Sequence, residues 1–268
     1  RGQMLAALAN CRKGLAVAGA HGKTTTTSML YTALEGCGAD PTFIVGGELQ
    51  GSQLNARLGN GDYFVLEADE SDASFLNLYP YAAIVTNIEN DHLDFYKSVD
   101  KIKTAFIQFM NQVVDGGFAV AYGGDGCIQE IRSQIKRKLI LYGEDDSFAY
   151  HLKNWRPQGM GSQFAVYAHG RYLGDIELSV PGKHNALNAL AVLATTLEMG
   201  QDFALVKAAL KKFRGAKRRF EILGEINDVL VIDDYAHHPT EIKATIDAAR
   251  QIPHDRIIVI FQPHRYTR

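Results

Sequence analysis

No run of apolar residues in this chain approaches the ~18 needed to cross a bilayer as a helix, and no signal-peptide pattern is visible. Excess charge of one sign is missing too. Twenty-eight Lys and Arg face 30 Asp and Glu, a net charge of −2, which gives no reason for general attraction to nucleic acid or acidic membranes. Cysteine is scarce and unpatterned. Cys11, Cys37 and Cys127 are odd in number, scattered and without metal-ligand spacing, as expected of reduced thiols in a cytoplasmic protein. Internal repeats and low-complexity segments are absent. What is present is 268 residues with 46% hydrophobic content, ample for one large or two smaller domains. The chain starts at Arg1 and stops at Arg268 just after an apolar run, and both ends read as cut, so a fragment is expected.

Apolar runs and helical spacings alternate up to about residue 142, which predicts an α/β protein with a mostly parallel sheet flanked by helices. Residues 14–18, 62–67, 81–86, 118–121 and 139–141 read as strands. Ile102, Phe106, Phe109, Met110 and Val113 fall at helical spacing, as do Ile128, Ile131 and Ile135. Alternation at Phe164, Val166 and Ala168, then the turn His169-Gly170, predicts a hairpin and a small antiparallel patch beside the main sheet. A helix carrying Leu187, Leu190, Ala191 and Ala194 follows, then another over 203–212. The stretch 211–219 holds Lys or Arg at six of nine positions and reads as a solvated linker. Beyond it, residues 229–232 predict a strand, 240–251 a helix with Ile242, Ile246 and Ala249 inward, and 256–261 a second strand. That is the start of a Rossmann-like α/β unit, too short to be complete.

Gly19-Ala20-His21-Gly22-Lys23-Thr24-Thr25 lies between a strand and a helix. A glycine turn there aims backbone N–H groups and the positive helix end at one point, which suits a phosphate. Lys23 adds a positive charge, and the Thr24 hydroxyl can ligate Mg²⁺. The full P-loop pattern is not met, since it places a glycine where Val17 stands. Glu67, Asp69, Glu70 and Asp72 follow another strand and would repel one another without a cation, for which oxygen-loving Mg²⁺ is the natural choice. Residues 86–94, with Glu89, Asp91, His92 and Asp94, form a second polar cluster at the same edge. His184, Asn185 and Asn188 open a helix, either as caps or as an amide array for a purine edge. Asp233-Asp234-Tyr235-Ala236-His237-His238-Pro239 and Gln262-Pro263-His264-Arg265-Tyr266-Thr267-Arg268 follow two strands of the second unit. Capping accounts for an aspartate there, whereas paired histidines and arginines suit an anionic substrate.

These stretches, with Arg218 to Glu221, resemble the Mur ligases, and occur in the family's order along nearly the whole chain. The shorter glycine loop is the form that family uses. The resemblance is strongest to the members that join L-alanine to UDP-N-acetylmuramate. It implies a bacterial cytoplasmic ligase of peptidoglycan precursor synthesis. ATP phosphorylates the muramyl carboxylate, and the amine attacks the acyl phosphate, giving the amide, ADP and phosphate. It further implies residues 1–217 as a central ATP-binding domain and 218–268 as the beginning of a C-terminal domain, with the uridine-binding domain absent and the fragment inactive alone.

Carried over residue by residue, Gly19 to Thr25 would wrap the phosphates. Lys23 would hold the β- and γ-phosphates and Thr24 the first Mg²⁺. Glu67 and His92 would hold the second Mg²⁺, between γ-phosphate and substrate carboxylate. His184, Asn185 and Asn188 would line adenine and ribose, and Arg219 and Asp234 would contact ATP from the second unit. His237, Arg265 and Arg268 would face the alanine and carboxylate, with no nucleic acid or membrane partner. A sister ligase adding a recycled tripeptide, folate-polyglutamate ligases, and a nucleotide-binding module without catalysis are the alternatives. Since Lys23 is the only lysine of the turn, Lys23→Ala in the full-length protein is expected to lower turnover about a hundredfold or more, the scale of one lost electrostatic donor. Steady-state phosphate release measures it.

Overall fold

The computed structural model describes residues 2–50, 54–89 and 93–263, for 93 and 94 the backbone alone. In chain order the elements are α1 (Gly2–Ala9), β1 (Lys13–Ala18), α2 (Lys23–Gly36), β2 (Thr42–Ile44), β3 (Ala56–Arg57), β4 (Tyr63–Glu67), β5 (Ala82–Val85), α3 (Leu93–Tyr96) and α4 (Val99–Asn111). There follow β6 (Phe118–Tyr122), α5 (Gly126–Ile131), β7 (Leu139–Gly143), β8 (Tyr150–Gln158), β9 (Gly161–Ala168) and β10 (Arg171–Leu178). The chain continues through α6 (Lys183–Glu198), α7 (Phe203–Lys212), β11 (Glu221–Ile226), β12 (Val229–Asp233) and α8 (Pro239–Ala249).

Ten strands form one sheet in the order β10-β9-β8-β7-β6-β5-β1-β4-β2-β3. Its interior, from β2 to β8, is parallel. Because side chains alternate along a strand, each central strand feeds two cores. Leu15 and Val17 of β1 join Met29, Leu30 and Leu34 of α2 and Leu190 and Leu193 of α6. Ala16 and Ala18 face Phe106, Phe109 and Met110 of α4 on the other side. Burial on both faces is why these strands read as continuous apolar runs. The register pairs Val17 with Glu67 and Ala18 with Val85, so the polar segments after β1, β4 and β5 emerge side by side at one edge.

Five expectations need correction. The antiparallel patch lies beside the main sheet as expected, but it has a third strand: β9 pairs with β8, and β8 with the parallel sheet. The hairpin turn is as foreseen, with His169 at φ 49° and Gly170 at 77°, the twist two-residue hairpins favour. β8 itself escaped notice because a register irregularity between Lys153 and Arg156 breaks its alternation. Second, the Ile128–Ile135 helix is short; α5 ends at Ile131, and a 3-10 turn spans Arg132–Gln134. Third, the basic 211–219 stretch is anchored as well as solvated: Lys211, Lys212, Arg214, Lys217 and Arg218 are exposed, but its backbone is held. Phe213 and Ala216 are buried, Lys217 N–H donates to Glu48 O at 2.7 Å, and Gln50 N–H donates to Gly215 O at 3.1 Å.

Fourth, residues 256–261 form no strand. β12 pairs antiparallel with β11, a strand not anticipated, and among the described residues nothing pairs with 256–261, so no ladder forms; Ile260 is 95% exposed. Fifth, in α8 the buried alanine is Ala248, not Ala249, while Ile242 and Ile246 are half-buried.

The lower core turns on Phe109, which is fully buried with its ring 4.9 Å from that of Phe75. Phe109→Ala is expected to destabilise the protein by about 3–5 kcal/mol, the usual range for deleting a buried phenylalanine, as read by the denaturant midpoint of the sheet-containing unit.

Candidate functional site

α2 begins at Lys23, directly behind Gly22, which takes φ 83°, while Gly19 takes φ 132°. Both conformations favour glycine. A side chain at 22 would also press on Asn188 Oδ1, 2.9 Å from an added Cβ, and one at 19 on Thr86 Oγ1 at 2.2 Å. The turn is fastened from β5: Asn87 Oδ1 accepts from His21 N–H at 2.9 Å, and Thr86 Oγ1 donates to His21 O at 2.6 Å. The first N–H groups of α2 point outward without helical partners, a ready anion site.

Lys23 Nζ donates to Gly19 O at 2.6 Å and to Glu70 Oε1 at 2.8 Å. The acidic run behind β4 therefore does not gather as one cation site. Asp69 Oδ1 accepts from Ser71 N–H and Asp72 Oδ1 from Ser74 N–H, each at 2.9 Å, closing local turns. Buried Glu70 neutralises Lys23 and is bound at its carbonyl by Tyr96 Oη. Only Glu67 remains available. Burial pushes its carboxyl pKa up, against the Thr24 hydroxyl, the Lys23 charge, the Gly46 N–H and Arg219, which pull it down. Its Oε1 is buried without a hydrogen-bond partner. An orphaned carboxylate oxygen next to a hydroxyl and a triphosphate cradle fits a Mg²⁺ ligand.

The opposite wall comes from α6 and the second unit, across a cavity of about 180 Å³ lined by Thr24, His184, Asn188, Arg219, Asp234 and Glu241, among others. Burial, with Arg219 nearby, lowers the His184 pKa to about 4, so its imidazole is neutral at pH 7. Asn185 is not a cap, since Gly182 holds that position without a side-chain bond; its Nδ2 donates to Pro181 O at 2.7 Å and ties the first turn of α6 to the preceding loop, while Asn188 lies against Gly22. Arg219 Nη1 lies 3.3 Å from Glu241 Oε1.

Asp234 knits its own unit, accepting from Phe220 N–H at 2.9 Å, Ala236 N–H at 2.7 Å and Thr245 Oγ1 at 3.1 Å. Burial nevertheless holds its pKa above the usual carboxylate value. His237 sits beside Glu241, 3.5 Å from Oε2. His92, Arg265 and Arg268 lie outside the described residues.

Sequence reasoning missed Glu241 and placed Glu70 and Glu89 only in general acidic clusters; the partners of all three appear only in the fold. Glu241 Oε1 lies 3.3 Å from His21 Nδ1, and Glu89 Oε2 lies 3.2 Å from His21 Nε2. Burial opposes a charge on His21, but the two carboxylates outweigh it and raise its pKa.

A P-loop-like turn on a parallel sheet with a small following unit is a general arrangement. The family models decide which. Residues 17–196 match the Mur ligase middle domain, and residues 218–267 match the Mur ligase glutamate ligase domain. The chain belongs to the Mur ligase family. Over its whole length it is 60% identical to a UDP-N-acetylmuramate–L-alanine ligase of Syntrophomonas wolfei, and 51% identical to that of Pelotomaculum thermopropionicum. It spans 58% of the length of each of these relatives. The crystal structure of UDP-N-acetylmuramate–alanine ligase from Thermotoga maritima superposes with a TM-score of 0.80 at 33% identity, covering 90% of this chain and 54% of that one. These Mur ligase structures share the mixed sheet with flanking helices described above.

His184 carries a pH signature. A histidine whose folded pKa is depressed binds its proton less readily than the unfolded chain does. Its contribution is whole above the ordinary value of 6.5 and is lost as pH falls towards about 4. His184→Asn is expected to remove up to about 3 kcal/mol of this acid loss at 1.36 kcal/mol per unit, measured as the difference between variant and parent unfolding free energies from pH 7 to 4.

Proposed function

We propose that the full-length protein is an ATP-dependent ligase that joins L-alanine to UDP-N-acetylmuramate through an acyl phosphate, giving ADP and phosphate. The observation that carries this reading is the facing of two walls. Gly22, Thr24 and Thr25 of the phosphate turn line one side, and His184, Asn188 and Arg219 line the other, with Lys23 and Glu67 bonded to the turn through Gly19 and Thr24. In this reading residues 1–217 hold the nucleotide and 218–268 begin the unit that closes over it. The strong likeness to the alanine-adding relatives over the whole chain supports the choice of amine.

A carboxylate is a poor electrophile, and bringing it to a triphosphate crowds negative charge, so positioning and fixed positive charge must do most of the work. Lys23, released from Glu70, holds the β- and γ-phosphates with the N–H groups at the start of α2. Arg219 approaches the triphosphate from the second unit. Neutral His184 lies against the nucleoside without adding charge, beside Asn185 and Asn188. Asp234 keeps the Arg219-bearing loop in place through its bonds to Phe220 and Ala236. Thr24, Glu67 and His92 would hold Mg²⁺, which supplies charge neutralisation of phosphate and carboxylate when bound. His92, His237, Arg265 and Arg268 would receive the amine and carboxylate. The 180 Å³ cavity is below the roughly 300 Å³ of the smaller ligand pockets, so nucleotide entry requires the two units to part.

Phosphate release by the full-length protein with MgATP and UDP-N-acetylmuramate is expected with L-alanine and not with D-glutamate or the tripeptide. Preference for the tripeptide would assign the protein to the sister ligase. Glu67→Gln is expected to cut turnover at least tenfold and to raise the Mg²⁺ concentration needed for half-maximal rate, seen in a Mg²⁺ titration of the same assay.

A further inference from the structure

Where the phosphate turn meets the second unit, three potential metal ligands converge outside the Thr24, Glu67 and His92 set. His21, Glu89 and His238 place ligand atoms all within 4.8 Å of one another. Glu89 Oε2 lies 3.2 Å from His21 Nε2 and 3.7 Å from His238 Nδ1, and the two imidazole rings are tilted with centroids 4.7 Å apart. With metal–ligand bonds of about 2.1 Å, two tetrahedral ligands stand about 3.4 Å apart, between the two observed separations.

The cluster is not satisfied by its own hydrogen bonds. His238 Nδ1 accepts the long cap from Thr240 N–H at 3.4 Å, so this nitrogen carries a lone pair rather than a proton, held only by a weak bond that a cation could displace. Glu89 Oε2 accepts from Thr240 Oγ1 at 3.1 Å and faces His21 Nε2. His21 Nδ1 is buried without an aligned hydrogen bond, and Glu241 Oε1 stands 3.3 Å from it. Metal binding at Nε2 places the proton on Nδ1, and a carboxylate there is the usual orienting partner of a metal-bound histidine. The His238 and Glu89 side chains are 21% and 28% exposed, sheltered yet reachable by an ion.

We propose that His21, Glu89 and His238 form a binding site for a borderline-soft divalent cation of the Zn²⁺ class, with water in the fourth position. Two imidazoles and one carboxylate suit Zn²⁺ or Co²⁺ and are poor for Mg²⁺, which takes oxygen ligands. Since His21 and Glu89 belong to the main sheet's edge and His238 caps α8, the ion ties the second unit to the phosphate turn. Bound there, it opposes the parting through which a nucleotide enters.

The test is Co²⁺ added alone to the full-length, metal-free protein, followed by visible absorption. A four-coordinate d–d band displaced by stoichiometric Zn²⁺ is expected, and excess Mg²⁺ leaves it in place. Glu89→Gln and His238→Ala should each weaken Co²⁺ binding at least about tenfold, while Glu67→Gln, in the proposed magnesium set, retains the band. Far-ultraviolet circular dichroism confirms that each variant is folded, and His238→Gln repeats the test if the alanine variant is not. Absence of the band, its survival in Glu89→Gln or in a folded His238 variant, or its loss in Glu67→Gln would overturn the assignment. Absence of the band identifies an imidazolium held between two carboxylates, its survival in those variants a metal bound elsewhere, and its loss in Glu67→Gln a metal at the nucleotide's own site.

Discussion

The contact on which the site depends is the one between Lys23 and Glu70. A lysine at the start of a helix lies where the macrodipole is already positive, and Nζ is only partly exposed. Glu70, 3% exposed, offsets that charge while the turn is empty, and the Gly19 carbonyl fixes the direction of the amine. A buried ion pair adds little net stability compared with an apolar pair. Its value here is positional: it keeps a cation extended at the mouth of the turn, where a triphosphate offers a denser negative charge than one carboxylate. The glycines at 19 and 22 make this possible, since both take positive φ and at 19 Thr86 and the Asn87 backbone leave no room for a Cβ.

The second unit meets this turn through charge rather than apolar contact. Arg219, Glu241, His21, Glu89 and His238 form a chain of opposite charges and lone pairs across the cavity. Such groups exchange partners at modest cost in partly solvated surroundings, as expected of a boundary that must open. The linker is the fixed element. Lys217 is bonded to Glu48 through both main chain and side chain, and Leu49 bridges to Ala216, so motion of the second unit would begin beyond residue 217.

Reading the sequence succeeded where a structural element rests on a contiguous stretch. The glycine turn between β1 and α2 and the apolar central strands are local patterns, and β1, β4, β5 and β6 were legible because burial on both faces leaves no polar alternation to confuse them. β8, β11 and the two-residue β3 were not legible. Their pairing is supplied by neighbours rather than by their own residues, and bulges at Lys153/Arg156 and at Ile222/Gly224 disturb the alternation. The 256–261 run errs in the opposite sense, for it has a strand's composition but no partner strand among the described residues.

The sequence by itself determined the α/β class, the position of the phosphate turn and the residue types able to carry phosphate and metal chemistry, because these are written in spacing over a few residues. Tertiary structure alone decided which carboxylate serves which charge. Glu67, Asp69, Glu70 and Asp72 are equivalent in the chain, yet one keeps a buried oxygen without a hydrogen-bond partner, one neutralises Lys23 and two close turns. Glu89 and Glu241 acquire their partners from segments up to 220 positions away in the chain. The reason is that Coulomb and desolvation energies depend on distance and burial, and neither is a property of the chain until the sheet has brought its strand ends together.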